Sequence, residues 1–280
     1  MNPPDITVFI RGVSVLGPGL SGWTEAAPVL AGEREWVDQP VIPPPPLILP
    51  ANERRRAGMP VRLALAVAGE AVRMSGLPPA APRGVFASSN GDGLVLDSIL
   101  TAMTTPGGMV SPTQFHNSVH NAVAANWTIG VGSTRPATSI GLHDETFAAG
   151  LLKAAAETVR EGEPMLFCAY DAPLPPPLAV KRPTDFAFAL ALVLTATREA
   201  AGDGPVLARL SVRFASGAPG PESWLPVTPA LRPRASGNPA ARGLRLLEAL
   251  ARGTADSFAL PYAGGRVEIG VTPTRFDAAL

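Results

Sequence analysis

Ser111-Pro112-Thr113-Gln114-Phe115-His116-Asn117-Ser118-Val119-His120-Asn121-Ala122-Val123-Ala124-Ala125-Asn126-Trp127-Thr128-Ile129 is the stretch whose reading decides the fold. Ser111 is an N-cap type, Pro112 stands at the first helical position, and Gln114 follows the cap by three residues. That combination predicts a helix opened by a capping box. Phe115, Val119 and Val123 then fall on one helix face. Next, Pro136 to Gly141 reads as a short buried strand. The turn Ser139-Ile140-Gly141-Leu142-His143-Asp144-Glu145 carries the chain from that strand into a helix over about 145–161. Phe147, Leu151, Leu152, Ala155 and Val159 mark the buried face of that helix.

Working outward, Ile6 to Leu16 predicts a first strand ended by Gly17-Pro18-Gly19, and Trp23 to Leu30 a short helix. Four consecutive prolines, Pro43 to Pro46, keep residues 41–50 out of any helix or central strand, so this segment is a surface excursion. Glu53 to Met74 reads as one long Ala-rich helix with Arg54, Arg55 and Arg56 near its start. Arg83 to Ser89, Met165 to Tyr170, Phe186 to Ala196, Val206 to Phe214 and Arg266 to Val271 read as strands. Ser88-Ser89-Asn90-Gly91-Asp92-Gly93 lacks the full spacing of a phosphate-binding loop and reads as a tight strand-to-helix turn. Gly217 to Asn238 is a long Pro- and Gly-rich connection, and Asn238-Pro239 starts a helix containing Leu244 to Leu250. Buried strands alternating with helices predict a layered α/β fold, with no solenoid-type repeat.

Composition narrows the function classes. The 280 residues are 46% apolar and 16% charged, enough to bury a substantial core. Net charge is zero, so no broad field draws in nucleic acid or an anionic membrane. A single cysteine, Cys168, excludes a disulfide framework and a cysteine-rich zinc site. Within the apolar strand 165–170 it reads as a small hydrophobe rather than a nucleophile. Met1 to Asp5 does not begin a signal peptide, and the apolar run Phe186 to Ala196 falls short of the about 20 residues that span a bilayer. A cytoplasmic location is the expectation.

The helix of residues 111–129 resembles the one that precedes the catalytic elbow of β-ketoacyl synthases. The opening strand and glycine turn, the strand 84–89, the elbow at 139–145, the Ala- and Gly-rich helix after it and the strand 165–170 are similar too and come in the same order. The resemblance covers roughly residues 5–200. It points to the ketosynthase-like proteins called chain length factors, in particular the short, nucleophile-less forms of aryl polyene clusters. It implies one thiolase-like domain over 1–280, with a recognisable core at 1–200, a divergent C-terminal part at 201–280, and a truncated or degenerate second half. It also implies a cytoplasmic role in polyketide or fatty-acid-type chain assembly.

The departures from the family pattern carry the functional reading. Active ketosynthases place a nucleophilic cysteine at the elbow and two histidines in the second half. Here the elbow position falls near Asp144, with His143 beside it, and the chain's only histidines are His116, His120 and His143. A cysteine at a helix N-terminus is activated by the helix dipole, whereas a carboxylate there forms no ready thioester and reads as an N-cap worth about 1 kcal/mol. No catalytic residue, cofactor or metal is therefore expected. The resemblance implies a heterodimer with an active β-ketoacyl synthase, which would deal with the acyl carrier protein. Phe115, His116, Val119 and His120 are the candidates for the partner and acyl-pocket interface.

Other readings of the same residues stay open on sequence alone. Phe115, Val119 and Val123 also suit a plain core stripe. His116 and His120, four apart, suit a zinc pair, although no glutamate lies between them and no third ligand is evident. Ser139, His143 and Asp144 assemble formally into a hydrolytic triad without its Gly-x-Ser-x-Gly elbow. On that basis the rival function is a stand-alone decarboxylase or hydrolase using His116, His120 or Asp144, and a third option is a structural homodimer.

Overall fold

The computed structural model describes residues 5–199, 204–220 and 223–274; the leader reading of Met1 to Pro4 lies outside them. The described residues form a nine-stranded mixed sheet. Its strands are β1 (Ile6–Gly17), β2 (Leu20–Ser21), β3 (Arg83–Ala87), β4 (Ala137–Ile140), β5 (Met165–Asp171), β6 (Phe188–Thr195), β7 (Ala208–Ser216), β8 (Asp256–Tyr262) and β9 (Gly265–Pro273). The order is β4-β3-β5-β6-β1-β7-β9-β8, with β2 paired to β1. Only β3 pairs in parallel, with β4 and β5; the other ladders are antiparallel.

The helices explain the strand composition. On one face lie α3 (Met59–Met74) and α6 (Ala122–Val131); on the other lie α1 (Trp23–Ala31), α7 (Thr146–Glu161) and α10 (Leu244–Arg252). Strands covered on both faces have no polar side to present, so every residue of β5 and β6 is buried. Alternation divides them between two cores: Leu190, Leu192 and Leu194 face α7, while Ala189, Ala191 and Val193 face α3. This is the thiolase-like layered α/β arrangement. The strands β7 and β9 alternate buried and accessible residues, because that end of the sheet is covered on one side only.

Several expectations need correction. The helix over 53–74 is two helices, α2 (Ala51–Arg56) and α3, separated at Ala57-Gly58, where the Ala57 backbone is extended. The strand β4 is not buried: it is the sheet's edge, and its residues are partly or fully accessible. The helix opened at Ser111 stops early. It splits into α5 (Pro112–Asn117) and α6, and residues 118–121 between them are not helical. No capping box forms, since the Ser111 side chain makes no cap bond and Gln114 Nε2 donates to Ser98 Oγ at 2.7 Å. Val159 leaves the buried face of α7 and is exposed. The sequence reading also omitted α4 (Gly93–Thr104), α8 (Leu178–Lys181), β8, and α9 (Arg232–Gly237) inside the long connection.

Candidate functional site

The turn between β4 and α7 is the segment that the sequence resemblance equates with the nucleophile elbow of ketosynthases. His143, Asp144 and Glu145 form a 3₁₀ turn there, and His143 has φ 45°. A left-handed backbone at a residue other than glycine costs roughly 1–2 kcal/mol, so the surrounding contacts hold this turn in a strained shape. Thr146 is one of those contacts: its hydroxyl accepts from Leu142 N at 2.8 Å and donates to His143 O at 2.7 Å. The carboxylate of Glu145 accepts from Ala263 N at 2.9 Å, tying the elbow to the β8–β9 hairpin.

Asp144 does not cap α7. Its Oδ1 lies 2.6 Å from Arg182 Nη2 and its Oδ2 lies 3.7 Å from Arg242 Nη2. Arg182 also donates to Ser89 Oγ at 2.7 Å, and Arg242 stacks 5.0 Å above the Trp224 ring. Burial holds the Arg242 guanidinium below its usual range, against the opposing pull of Asp144 and Glu145. Arg242 belongs to the 3₁₀ turn Pro239–Gly243, which Asn238 anchors. Asn238 Nδ2 donates to Asp171 O at 3.2 Å and Phe186 O at 2.7 Å, and its Oδ1 accepts from Ala240 N. The C-terminal segment thus delivers an arginine to the elbow. A carboxylate paired with two guanidiniums holds parts of the fold together and is a poor nucleophile.

The neighbouring turn after β3 is built around a second carboxylate. Asp171 Oδ1 accepts from Ser88 Oγ at 2.9 Å, Ser89 N at 2.9 Å and Asn90 N at 3.1 Å. The backbone N–H groups that a phosphate would need are therefore already filled from within the chain. Burial pushes the Asp171 carboxyl up from 3.8 to about 7, against these hydrogen bonds and the charge of Arg182. A folded-state pKa above the unfolded one means that the native chain keeps a proton which the unfolded chain has released. This group's contribution to stability is whole below about pH 4 and is lost as pH rises through about 7. Asp171→Asn keeps the Oδ1 acceptor and removes the charge. Its melting temperature relative to wild type should rise steadily between about pH 4 and about pH 7 and level off above. Parallel profiles for the two proteins would refute this.

The other sequence-derived residues are dispersed. His116 is near the end of α5, while His120 falls in the non-helical break, so the two do not share a helix face. His120 Nε2 is 2.9 Å from Ser88 O, and its ring lies against Gly141. Among the described residues Ser139 Oγ has no hydrogen-bond partner, so it is not paired with His143 and the hydrolytic triad is not assembled. Among the described residues, no three His, Cys, Asp or Glu side chains are grouped to hold a metal ion. Phe115 and Val119 are 64% and 46% exposed, and only Val123 joins the core, so the three are not one core stripe. Cys168 is fully buried between β3 and β6, and burial pushes its thiol up, away from reactivity.

Arg182, Arg242 and Asp171 were missed by sequence reasoning, and Asn238 was read only as the start of a helix, a cap that its bond from Ala240 N bears out. Asp171 also had a signal: a carboxylate ending a strand that is otherwise wholly apolar. Arg182 and Arg242 follow Pro-rich connections, whose path the sequence pattern does not set.

Comparison with known proteins agrees with this architecture. Residues 28–213, about two thirds of the chain, match the family described as beta-ketoacyl synthase, N-terminal domain. No relative was found among the curated proteins. Among solved structures, one similar to this chain is the ketosynthase ApeO in complex with its chain length factor ApeC, from Xenorhabdus doucetiae. The match has a TM-score of 0.68 at 20% identity, covering 94% of this chain and 99% of that one. A β-ketoacyl synthase from Burkholderia phymatum gives 0.69 at 12% identity, covering 98% and 100%. The ishigamide ketosynthase/chain length factor gives 0.65 at 13%, covering 95% and 98%. Among the described residues no helix is long and apolar enough to cross a membrane. With the family match spanning both the sheet's centre and the elbow, the chain belongs to the β-ketoacyl synthase family, through its N-terminal domain.

Proposed function

We propose that this chain is a chain-length-factor-type subunit: a non-catalytic ketosynthase-like protein that pairs with an active β-ketoacyl synthase in the cytoplasm. The observation that carries this reading is the elbow itself. The strand, strained turn and helix that would present a nucleophile are retained, yet the reactive position is given to His143 and to an Asp144 tied between two arginines. The fold similarity to a ketosynthase bound to its chain length factor supports the same reading. Condensation and dealings with the acyl carrier protein belong to the partner. This subunit stabilises the partner and shapes its acyl pocket in polyene- or fatty-acid-type chain assembly.

An exposed apolar face supports a seat for the partner at α4 and α5. Leu96, Leu100 and Met103 form an exposed apolar stripe on α4, continued by Met109, Phe115 and Val119. The Gln114–Ser98 bond holds α5 beside α4, so the two exposed apolar sets are neighbours on the surface. Among the described residues β4 pairs only with β3 and leaves its other edge open. Exposed apolar faces and open edges ask to be covered, and an obligate interface of this kind buries more than roughly 2,000 Å².

The test is co-expression with the ketosynthase encoded nearest to this chain, followed by size-exclusion chromatography and native mass spectrometry. The expected species is a stable one-to-one complex. A well-behaved monomer that ignores the ketosynthase, or a homodimer that excludes it, would overturn the proposal.

A further inference from the structure

The four prolines that keep residues 41–50 out of helix and strand are not used by the pairing proposed above. Pro43, Pro44 and Pro45 each have φ set by their own ring and ψ held extended by the proline that follows. Ile42, standing before Pro43, is held extended too, so this run is a polyproline II ridge with three residues per turn. Burial follows that period. Pro43, Pro46 and Leu49 are buried, while Ile42, Pro44, Pro45, Leu47 and Ile48 are exposed. One edge of a three-sided rod lies against the protein and the other two face outward. Those outward edges carry large apolar side chains, since Ile42 and Leu47 are 79% and 75% exposed.

The ridge is pinned along its length. Before it, Trp36 Nε1 donates to Pro18 O at 2.9 Å and Gly19 N donates to Gln39 O at 3.3 Å. Arg234 Nη2 donates to Asp38 Oδ2 at 2.6 Å, and its guanidinium lies 5.1 Å and 5.2 Å from the Trp36 and Phe186 rings. In the middle, Arg62 Nη2 donates to Pro43 O at 2.7 Å. After it, Leu49 N donates to Pro46 O at 3.0 Å, and the Leu49 side chain enters the core. A segment preset in this way loses little conformational freedom on being gripped. Positive charge follows at once: α2, none of whose residues is buried, carries Arg54, Arg55 and Arg56 against the single acid Glu53.

We propose that residues 42–48 dock into a protein groove lined by aromatic side chains and rimmed by carboxylates, on a partner other than the ketosynthase. Aromatic rings pack against the two outward edges, Ile42 with Pro45 and Pro44 with Leu47, which is how a preformed polyproline II segment is read. The carboxylates meet the α2 arginines and fix the direction in which the ridge lies. A single extended segment suits a small groove, not the seat of more than roughly 2,000 Å² that an obligate subunit needs. The inference does not depend on the partner-subunit reading.

The test titrates the full chain into a ¹⁵N-labelled SH3 domain chosen for carboxylates beside its aromatic groove, and follows the groove resonances by NMR. Saturable shifts confined to that groove are expected. Pro45→Ala combined with Leu47→Ala, one change on each outward edge, should weaken binding by about tenfold or more. Circular dichroism should be unchanged, because both side chains are exposed. Raising salt from about 50 to about 300 mM should weaken wild type several-fold, and Arg54→Glu with Arg55→Glu should remove most of that dependence. A rigid strap with no docking role would give no saturable shift, or shifts that the edge variant leaves unchanged, and either overturns the proposal. Salt dependence that survives the arginine changes would overturn the carboxylate rim. The complex with the ketosynthase should bind the SH3 domain as the free chain does; loss of binding on pairing would overturn a separate partner. Failure of pairing itself would overturn the subunit reading and leave the ridge standing.

Discussion

Aspartate at both Met103 and Phe115 is expected to abolish pairing with the ketosynthase while leaving this subunit's own fold unchanged. The two side chains are 69% and 64% exposed, so their removal takes little from the core. In a sealed apolar interface the same two carboxylates would have to be desolvated without partners, at a cost of several kcal/mol each. The dissociation constant should rise by more than about 100-fold, since 1.4 kcal/mol is already tenfold. The isolated double variant, with two added negative charges on a neutral chain, should also be more soluble than wild type. Native mass spectrometry and calorimetric titration measure the first effect, and circular dichroism checks the fold. If pairing persists within about tenfold, the α4–α5 face is not the partner's seat.

The separation between fold and surface also explains what the sequence made legible. The strand Phe188–Thr195 was readable because a strand covered on both faces must be apolar throughout, and the run is short enough for a strand. The helix Thr146–Glu161 was readable from its 3.6-residue period, apart from Val159, which lies at the edge of the buried face while its neighbour Thr158 is buried. The gap between α2 and α3 had a signal that the alanine-rich pattern hid: Gly58 followed by Pro60 is a stop and a fresh start. The break at 118–121 had none. It contains no glycine or proline, and the contact from His120 to Ser88 O that accompanies it is decided by tertiary structure. The strand, turn and helix around residues 137–161 were read at their places along the chain, but the role of Asp144 was not. Its two arginine partners are 38 and 98 positions later, and no local pattern brings them together.

Gly12→Ala should be the most damaging single-atom addition in the molecule. The β1–β6 register slips between Ile10 and Gly12, and at this irregularity β1 comes against the last turns of α3. A Cβ on Gly12 would stand 1.9 Å from Ala71 O, 2.9 Å from Ala71 C and 3.2 Å from Ser75 N. All three are backbone atoms, so no rotamer change relieves the clash. The helix cannot retreat either, because Gly204 approaches from elsewhere: its own Cβ would fall 2.3 Å from Ser75 C. Overpacking a core costs 1–3 kcal/mol when side chains can yield, and here they cannot, so at least about 3 kcal/mol is expected. For a chain of this size that lowers the melting temperature by about 6–12 °C. Gly69→Ala, in the middle of α3 with nothing within 4 Å of the added carbon, should instead stabilise by about 0.5–1 kcal/mol. Thermal unfolding of the two variants against wild type measures the contrast. The two shifts should have opposite signs, and a Gly12→Ala protein melting within about 2 °C of wild type would mean that β1 and α3 are not packed backbone to backbone.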